Sequence, residues 1–147
     1  DPHIRGSFHS IKTTTDTTNM QYSVIEGVSF GILDGVKSIL KVNNNFEKIF
    51  MVGGGSRSSF WIQLLASLLD RKLCVCEQSE YGASLGVARL AMYVDKNIDD
   101  KSTIIKEIKI SNEYKPKLNN IDILLKRYEI WKDLYSSNKK IAYKLLH

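Results

Sequence analysis

Residues 48–69, which read KIFMVGGGSRSSFWIQLLASLL, decide the fold of this chain. A short apolar run at 49–52 is followed by three consecutive glycines, a small polar linker and an apolar-periodic segment that begins at Phe60. This order predicts a buried strand, a tight turn and a helix. Glycines allow a backbone to approach a ligand closely, and the amides at a helix N-terminus attract anions. The stretch therefore suits phosphate binding.

The three glycines complete neither of two well-known nucleotide-binding motifs. They form no Walker A loop, because no Gly-Lys-Ser/Thr follows at the required spacing. They form an incomplete dinucleotide-binding motif, because Ser58 stands where the third glycine is expected, and Glu77 and Glu80 are only rough candidates for the ribose-binding acid. Since glycine turns often just connect a strand to a packed helix, a purely structural turn stays an open alternative.

Length and composition indicate one globular domain. The chain has 147 residues, of which 43% are hydrophobic and 25% charged, as is ordinary for a soluble protein. No apolar run approaches the roughly 20 residues that span a bilayer, and the N-terminus has no signal-peptide pattern. We therefore expect no membrane partner and a cytoplasmic location. The chain does not begin with Met, so we expect a piece of a longer protein.

The net charge of +5 is unevenly distributed. Residues 101–147 contain eleven basic and five acidic residues, whereas residues 1–100 are nearly balanced. A nucleic-acid patch and a solvated helix face are the two interpretations. We favour the solvated face, because the lysines alternate with apolar residues at helical spacing and no nucleic-acid motif accompanies them.

The metal-ligating residue types form no cluster in the sequence. Cys74 and Cys76 stand two apart in a predicted strand, where an ordinary disulfide does not form, so we expect reduced thiols. The histidines stand near the chain ends, and we assign no metal site to the chain.

The order of the predicted elements indicates an α/β fold. The predicted strands are residues 7–11, 49–52 and 73–76. The predicted helices are residues 19–42, 60–69, 82–94 and 118–146, the first capped by Asp16, Thr17 or Thr18. Its apolar stripe is Ile25, Val28, Ile32, Val36 and Ile39. This alternation predicts a partly parallel sheet, which we expect upstream sequence to complete.

Three stretches carry a resemblance to a known family. They are MVGGGSRSSFW at 51–61, VIEGVSF at 24–30 and YGASLGVARLA at 81–91. The chain resembles, over nearly its whole length, the C-terminal part of the FGGY carbohydrate kinase family, and within it the xylulose kinase branch. The resemblance implies the C-terminal portion of an actin-like ATPase, or ribonuclease H-like, domain. Residues 1–147 would be the nucleotide-side part of such a kinase, and residues 112–147 its helical tail.

The resemblance also implies an activity and a site. Family members use ATP with Mg²⁺ to phosphorylate a sugar, here the 5-hydroxyl of D-xylulose, and the N-terminal half provides most of the sugar site. The implied nucleotide-binding residues of this chain are Gly53, Gly54, Gly55, Ser56 and Ser58. The catalytic base and the first phosphate loop would lie upstream, so we assign no catalytic or metal-binding residue here and expect the piece alone to be inactive.

Several functions stay open beside this one. The substrate could be another sugar or polyol, such as glycerol, gluconate, ribulose or rhamnulose. A non-catalytic, actin-like interaction module is an alternative from a different class, in which the glycine turn is only structural. The sequence leaves the oligomeric state open, with a homodimer among the alternatives.

Overall fold

The computed structural model describes residues 1–42, 48–95, 104, 109–117 and 119–146. The helices are α1 (Thr17–Val42), α2 (Ser59–Leu69), α3 (Gly82–Val94) and α4 (Ile121–Lys144), and the strands are β1 (Ile49–Met51), β2 (Leu73–Cys76) and β3 (Ile110–Tyr114). The chain divides into a helical unit, Asp1–Lys41 with Asn119–His147, and a sheet unit, Val42–Leu118. Within the described residues, no helix is long and apolar enough to cross a membrane.

The helical unit is built on the packing of α1 against α4. Asp16 caps α1, because its Oδ1 accepts a hydrogen bond from the Asn19 amide at 2.7 Å. The ring of Tyr128, which is 2% exposed, lies against Phe30 of α1 with centroids 5.8 Å apart. The Tyr128 hydroxyl donates to Asp34 Oδ1 at 2.7 Å, so the two helices are joined by both apolar and polar contacts.

The buried face of α1 differs from the predicted stripe. Its buried residues are Glu26, Ser29, Phe30 and Leu33. Val28 and Ile39, which the periodicity placed on the core face, are exposed. The contacts with α4 select the face, because Arg127 of α4 pairs with the nearly buried carboxylate of Glu26 at 3.2 Å.

The sheet unit has the strand order β1-β2-β3. β1 runs parallel to β2, with Ile49 beside Leu73, and β3 runs antiparallel to β2, with Leu73 beside Tyr114. The pairing confirms the predicted α/β class with a partly parallel sheet. Helix α2 supplies much of this unit's core, and its buried residues are Ile62, Leu64, Leu65, Ala66, Ser67, Leu68 and Leu69.

Two strand predictions need correction. Residues 7–11 form no strand: Ser10 has φ +60°, which interrupts an extended backbone. Ser7 Oγ bonds His9 and accepts from Asn138 at 3.0 Å. The third strand is β3 instead, whose sequence, ISNEY, has strand formers only at its two ends. Pairing with β2 decides its conformation.

The C-terminal helix is shorter than the tail predicted over 112–147. Helix α4 spans Ile121–Lys144, and residues 112–114 belong to β3. Residues 115–117 pack on α2 in the sheet unit, where the Lys115 carbonyl accepts from Gln63 and the Lys117 amide donates to Ser67. Residues 118 and 147 lie outside the described part.

Candidate functional site

Two loops meet at one edge of the sheet. Because β1 and β2 are parallel, their carboxyl ends lie at the same edge. The first loop, residues 52–58, follows β1 and contains the glycine turn; the second loop, residues 77–81, follows β2. In open α/β sheets, ligands bind outside the carboxyl ends of the strands. This edge is therefore the candidate site.

The glycine turn has a defined backbone shape. Gly53 has φ +83°, a conformation that favours glycine, and it precedes a 3₁₀-helix over Gly54–Arg57. The Ser56 amide donates to the Gly53 carbonyl at 3.0 Å, and the Ser58 amide donates to the Gly55 carbonyl at 3.2 Å. Within the described chain, the amides of Gly54 and Gly55 donate to no backbone acceptor, so two donors stand at the start of this turn.

The structure requires glycine to a different degree at each of the three positions. Gly53 is required by its positive φ. At Gly55, an added Cβ would stand 2.7 Å from Cζ3 of Trp61, so the indole ring occupies that space. At Gly54, an added Cβ would meet nothing within 4 Å, and φ is not positive. Nothing in the described chain therefore demands glycine at position 54.

The hydroxyls of the two serines of the predicted site form hydrogen bonds within the chain. Ser56 Oγ donates to the Gly53 carbonyl at 2.7 Å and lies 2.7 Å from Ser79 Oγ. Because the single Ser56 proton is used on Gly53, the Ser79 hydroxyl is the donor between the two serines. Ser58 Oγ accepts from the Trp61 amide at 3.3 Å and caps α2.

The second loop is tied closely to the glycine turn. The Gly53 amide donates to the Ser79 carbonyl at 2.7 Å. Arg57 Nε donates to Glu80 Oε2 at 2.6 Å, and the guanidinium forms an ion pair with the same carboxylate. Hydrogen bonding from Arg57 lowers the pKa of Glu80. Gly82 packs on Val52, since an added Cβ would stand 3.2 Å from the Val52 Cβ.

The structure thus brings the five predicted residues together and adds two more. Gly53, Gly54, Gly55, Ser56 and Ser58 form one continuous turn at the sheet edge. Ser79, which sequence reasoning did not assign, and Glu80, which it named only as a rough ribose-binding candidate of the incomplete dinucleotide motif, bond directly to that turn. Their position just after β2 was the available signal, because parallel neighbouring strands bring their carboxyl-end loops together.

Groups that could hold a metal do not gather in the described part of the chain. No cluster of three or more His, Cys, Asp and Glu side chains is present among those residues. Cys74 is a buried free thiol, and burial raises the pKa of the free thiol of Cys76. The raised pKa makes the Cys76 thiol a poor nucleophile.

Comparison with known proteins identifies the family. The model of the FGGY family of carbohydrate kinases, C-terminal domain, matches residues 1–94. The chain belongs to this family. A xylulose kinase from Staphylococcus epidermidis is 30% identical to this chain over 149 aligned positions, which cover 99% of this chain and 29% of that relative.

Solved structures agree with the FGGY assignment. A xyloylose kinase from Brucella ovis has a TM-score of 0.75 and 27% identity, covering 94% of this chain and 28% of that one. A gluconate kinase from Lactobacillus acidophilus has a TM-score of 0.69 and 23% identity, covering 93% of this chain and 28% of that one. The fold is thus the predicted C-terminal portion of an actin-like ATPase domain, and the chain spans under a third of these relatives.

Proposed function

We propose that this chain is the nucleotide-side portion of a sugar kinase that transfers a phosphoryl group from Mg-ATP to the 5-hydroxyl of D-xylulose, giving D-xylulose 5-phosphate. Membership of the FGGY family supports a carbohydrate kinase. Relatives that match most of the chain and are named xylulose kinase, such as those from Staphylococcus epidermidis and Escherichia coli, support the sugar.

The main observation behind this proposal is the open space beside Gly54, where an added Cβ would meet nothing within 4 Å. The chain's own packing and backbone explain Gly53 and Gly55, but they leave Gly54 unexplained. A nucleotide lying against this turn would require a residue without a side chain there. The amides of Gly54 and Gly55 would then donate to phosphate oxygens, as backbone amides do in other phosphate-binding turns.

Ser56 and Ser58 have a different part in the proposed site. Their hydroxyls are engaged with Gly53, Ser79 and the Trp61 amide. They therefore fix the shape of the wall that faces the nucleoside, and they are poorly placed to recognise the adenine ring through those hydroxyls.

Phosphoryl transfer needs groups beyond this turn. A base must accept the proton of the attacking hydroxyl, and Mg²⁺ neutralises charge that develops on the phosphates. We assign neither the base nor a magnesium ligand to the described residues. We propose that both belong to the N-terminal half of the complete kinase, together with most of the sugar contacts.

A second candidate substrate class follows from one comparison. The gluconate kinase from Lactobacillus acidophilus shares this fold with a TM-score of 0.69. The nucleotide side would be common to kinases of different sugars, because sugar selection takes place in the other half of the site. Assays of the complete kinase with D-xylulose, gluconate, glycerol, ribulose and rhamnulose would decide among these acceptors.

Gly54→Ala tests the nucleotide site. In the complete kinase, we expect this variant to weaken Mg-ADP binding about tenfold, because its methyl group would stand where the phosphates lie. Isothermal titration calorimetry gives the affinity, and circular dichroism checks the fold. The matched control is Gly86→Ala, which also adds a methyl group in open space of the same unit.

Two outcomes would contradict the proposal. If the unmodified kinase shows no saturable affinity for Mg-ADP or Mg-ATP, the turn is structural and the interaction-module alternative is favoured. If Gly54→Ala and Gly86→Ala bind Mg-ADP as tightly as the unmodified kinase, the nucleotide does not lie against position 54.

A further inference from the structure

Arg57 is the only cationic residue of the turn sequence GGGSRS, and its side chain is 72% exposed. A cation at this place suggests a phosphate ligand, since arginine binds phosphates through two parallel hydrogen bonds. The structure gives it another partner. Its Nε donates to Glu80 Oε2 at 2.6 Å, and a terminal guanidinium nitrogen contacts the same oxygen.

The ion pair is one of three links between the same two loops. The Gly53 amide donates to the Ser79 carbonyl at 2.7 Å. The Ser79 and Ser56 hydroxyls lie 2.7 Å apart, and Ser56 Oγ donates to the Gly53 carbonyl at 2.7 Å. The residues linked in this way flank Gly54 and Gly55 on both sides in the sequence. The second loop therefore holds the turn on both sides of the Gly54 and Gly55 amides.

The charges argue against Arg57 as a phosphate ligand. Glu80 neutralises the guanidinium, and a phosphate that recruited Arg57 would have to displace this carboxylate while it is repelled by it. Holding the turn in shape requires no such exchange. A preorganised turn also binds a ligand more tightly, because less conformational entropy is lost on binding.

We propose that Ser79, Glu80 and Arg57 are positioning residues for the nucleotide: Glu80 and Ser79 of the second loop clamp the glycine turn, through Arg57 and Ser56, in the shape that presents the Gly54 and Gly55 amides. The proposal rests on the proposed nucleotide site and deepens it. It assigns a role in nucleotide affinity to a loop that follows a different strand.

Reciprocal charge exchange tests the clamp. In the complete kinase, Arg57→Glu and Glu80→Arg each place like charges together, and we expect each to raise the KM for Mg-ATP about fivefold, the upper range for an exposed ion pair. We expect kcat to change less than about twofold, because the clamp acts on binding and not on the reacting atoms. The double variant restores opposite charges and should recover most of the KM.

The exchange separates positioning from direct contact. If Arg57 touched a phosphate, glutamate at position 57 would repel the nucleotide whatever stands at position 80, and the double variant would stay impaired. Direct contact would also be indicated if Arg57→Glu lost affinity and Glu80→Arg did not. Either result overturns the clamp. The control for charge is Arg71→Glu, an exposed residue in the turn between α2 and β2, which should leave the KM unchanged.

Three milder variants test the clamp in case the charge reversals prevent folding. Ser79→Ala removes the hydroxyl donor, whereas Ser79→Thr keeps it, and Glu80→Gln removes charge with little change of shape. We expect Ser79→Ala and Glu80→Gln to raise the KM for Mg-ATP about threefold and Ser79→Thr to restore it. Unchanged KM values in both impaired variants would overturn the proposal. Absence of nucleotide binding by the unmodified kinase would instead overturn the proposed function.

Discussion

Single residues of the glycine turn differ in what they tolerate, although the sequence shows three identical residues in a row. Gly53 is fixed by its backbone conformation, Gly55 by the ring of Trp61, and Gly54 by nothing within the described chain. An experiment that substitutes Gly54 and Gly55 together would therefore mix a packing defect with a binding defect. The two positions need separate tests.

Gly55→Ala is expected to destabilise the sheet unit by about 1–3 kcal/mol, the usual cost of overpacking. The added Cβ would lie 2.7 Å from Trp61 Cζ3, so the ring or the turn must move. Urea unfolding measures the change in the free energy of unfolding. Gly86→Ala is the control, and it should be neutral or slightly stabilising, because it adds a methyl group to an open helix position. Equal stability of the two variants would contradict this packing argument.

Tyr128→Phe is expected to lower the free energy of unfolding by about 1–2 kcal/mol, because it removes the hydrogen bond from the buried hydroxyl to Asp34. Tyr135→Phe is the matched control, since that ring is 53% exposed. Thermal or urea unfolding at neutral pH measures both. A loss of the same size at Tyr135 would indicate a general effect of losing a hydroxyl.

The stability that Tyr128 contributes should also depend on pH. Burial and the hydrogen bond to Asp34 raise the pKa of Tyr128 from 10.0 to about 12. Below pH 10 both folded and unfolded chains keep the proton, and between about 10 and 12 only the folded chain keeps it. The contribution is thus complete at neutral pH and falls as pH rises through this window. Unfolding of the unmodified chain and Tyr128→Phe from about pH 9 to about pH 12 should show their difference shrinking; a constant difference would contradict it.

At the scale of elements, α2 links the candidate site to the core. Its N-terminus is capped by Ser58 at the sheet edge, and seven of its residues are buried. It ends at Asp70 with φ +48°, a left-handed conformation that closes the helix before β2. Because α2 is anchored in the core, its N-terminus and the adjoining end of the glycine turn are held at a fixed place on the sheet.

Ser58→Ala is expected to cost about 1 kcal/mol of stability, because the Trp61 amide loses the acceptor that caps α2. Ser59→Ala, one residue further along, is the control and should change stability little, since alanine favours a helix and Ser59 is exposed. Chemical unfolding of both variants gives the difference. A larger loss of stability in Ser59→Ala than in Ser58→Ala would contradict the assignment of Ser58 as the N-cap of α2.

At the scale of the whole molecule, the chain corresponds to 29% of the length of a xylulose kinase relative. Its described residues supply a turn that suits phosphates, and we propose that the base and the sugar contacts lie in the rest of the complete kinase. We expect the 147-residue chain alone to show no phosphorylation of D-xylulose with Mg-ATP above the rate without protein. A coupled ADP assay measures this, with the complete kinase as the positive control. Turnover by the chain alone would contradict the proposed division of the site.

The sequence by itself determined the local features. Strand β2 at 73–76 and helix α3 at 82–94 were predicted with the bounds that the structure shows, and β1 and α2 to within a residue at either end. These elements depend on patterns within a few residues: an apolar run, a glycine turn, a helical period. The five predicted site residues fall within six consecutive positions, 53–58, so no long-range pairing was needed to bring them together.

The tertiary structure alone decided the rest. Residues 110–114 become a strand only because β2 offers them an edge, and the buried face of α1 follows its contacts with α4. Ser79 and Glu80 join the glycine turn because β1 and β2 pair in parallel and bring their carboxyl ends together. Each of these outcomes depends on which distant segments pack against each other, and local propensity contains no information about that choice.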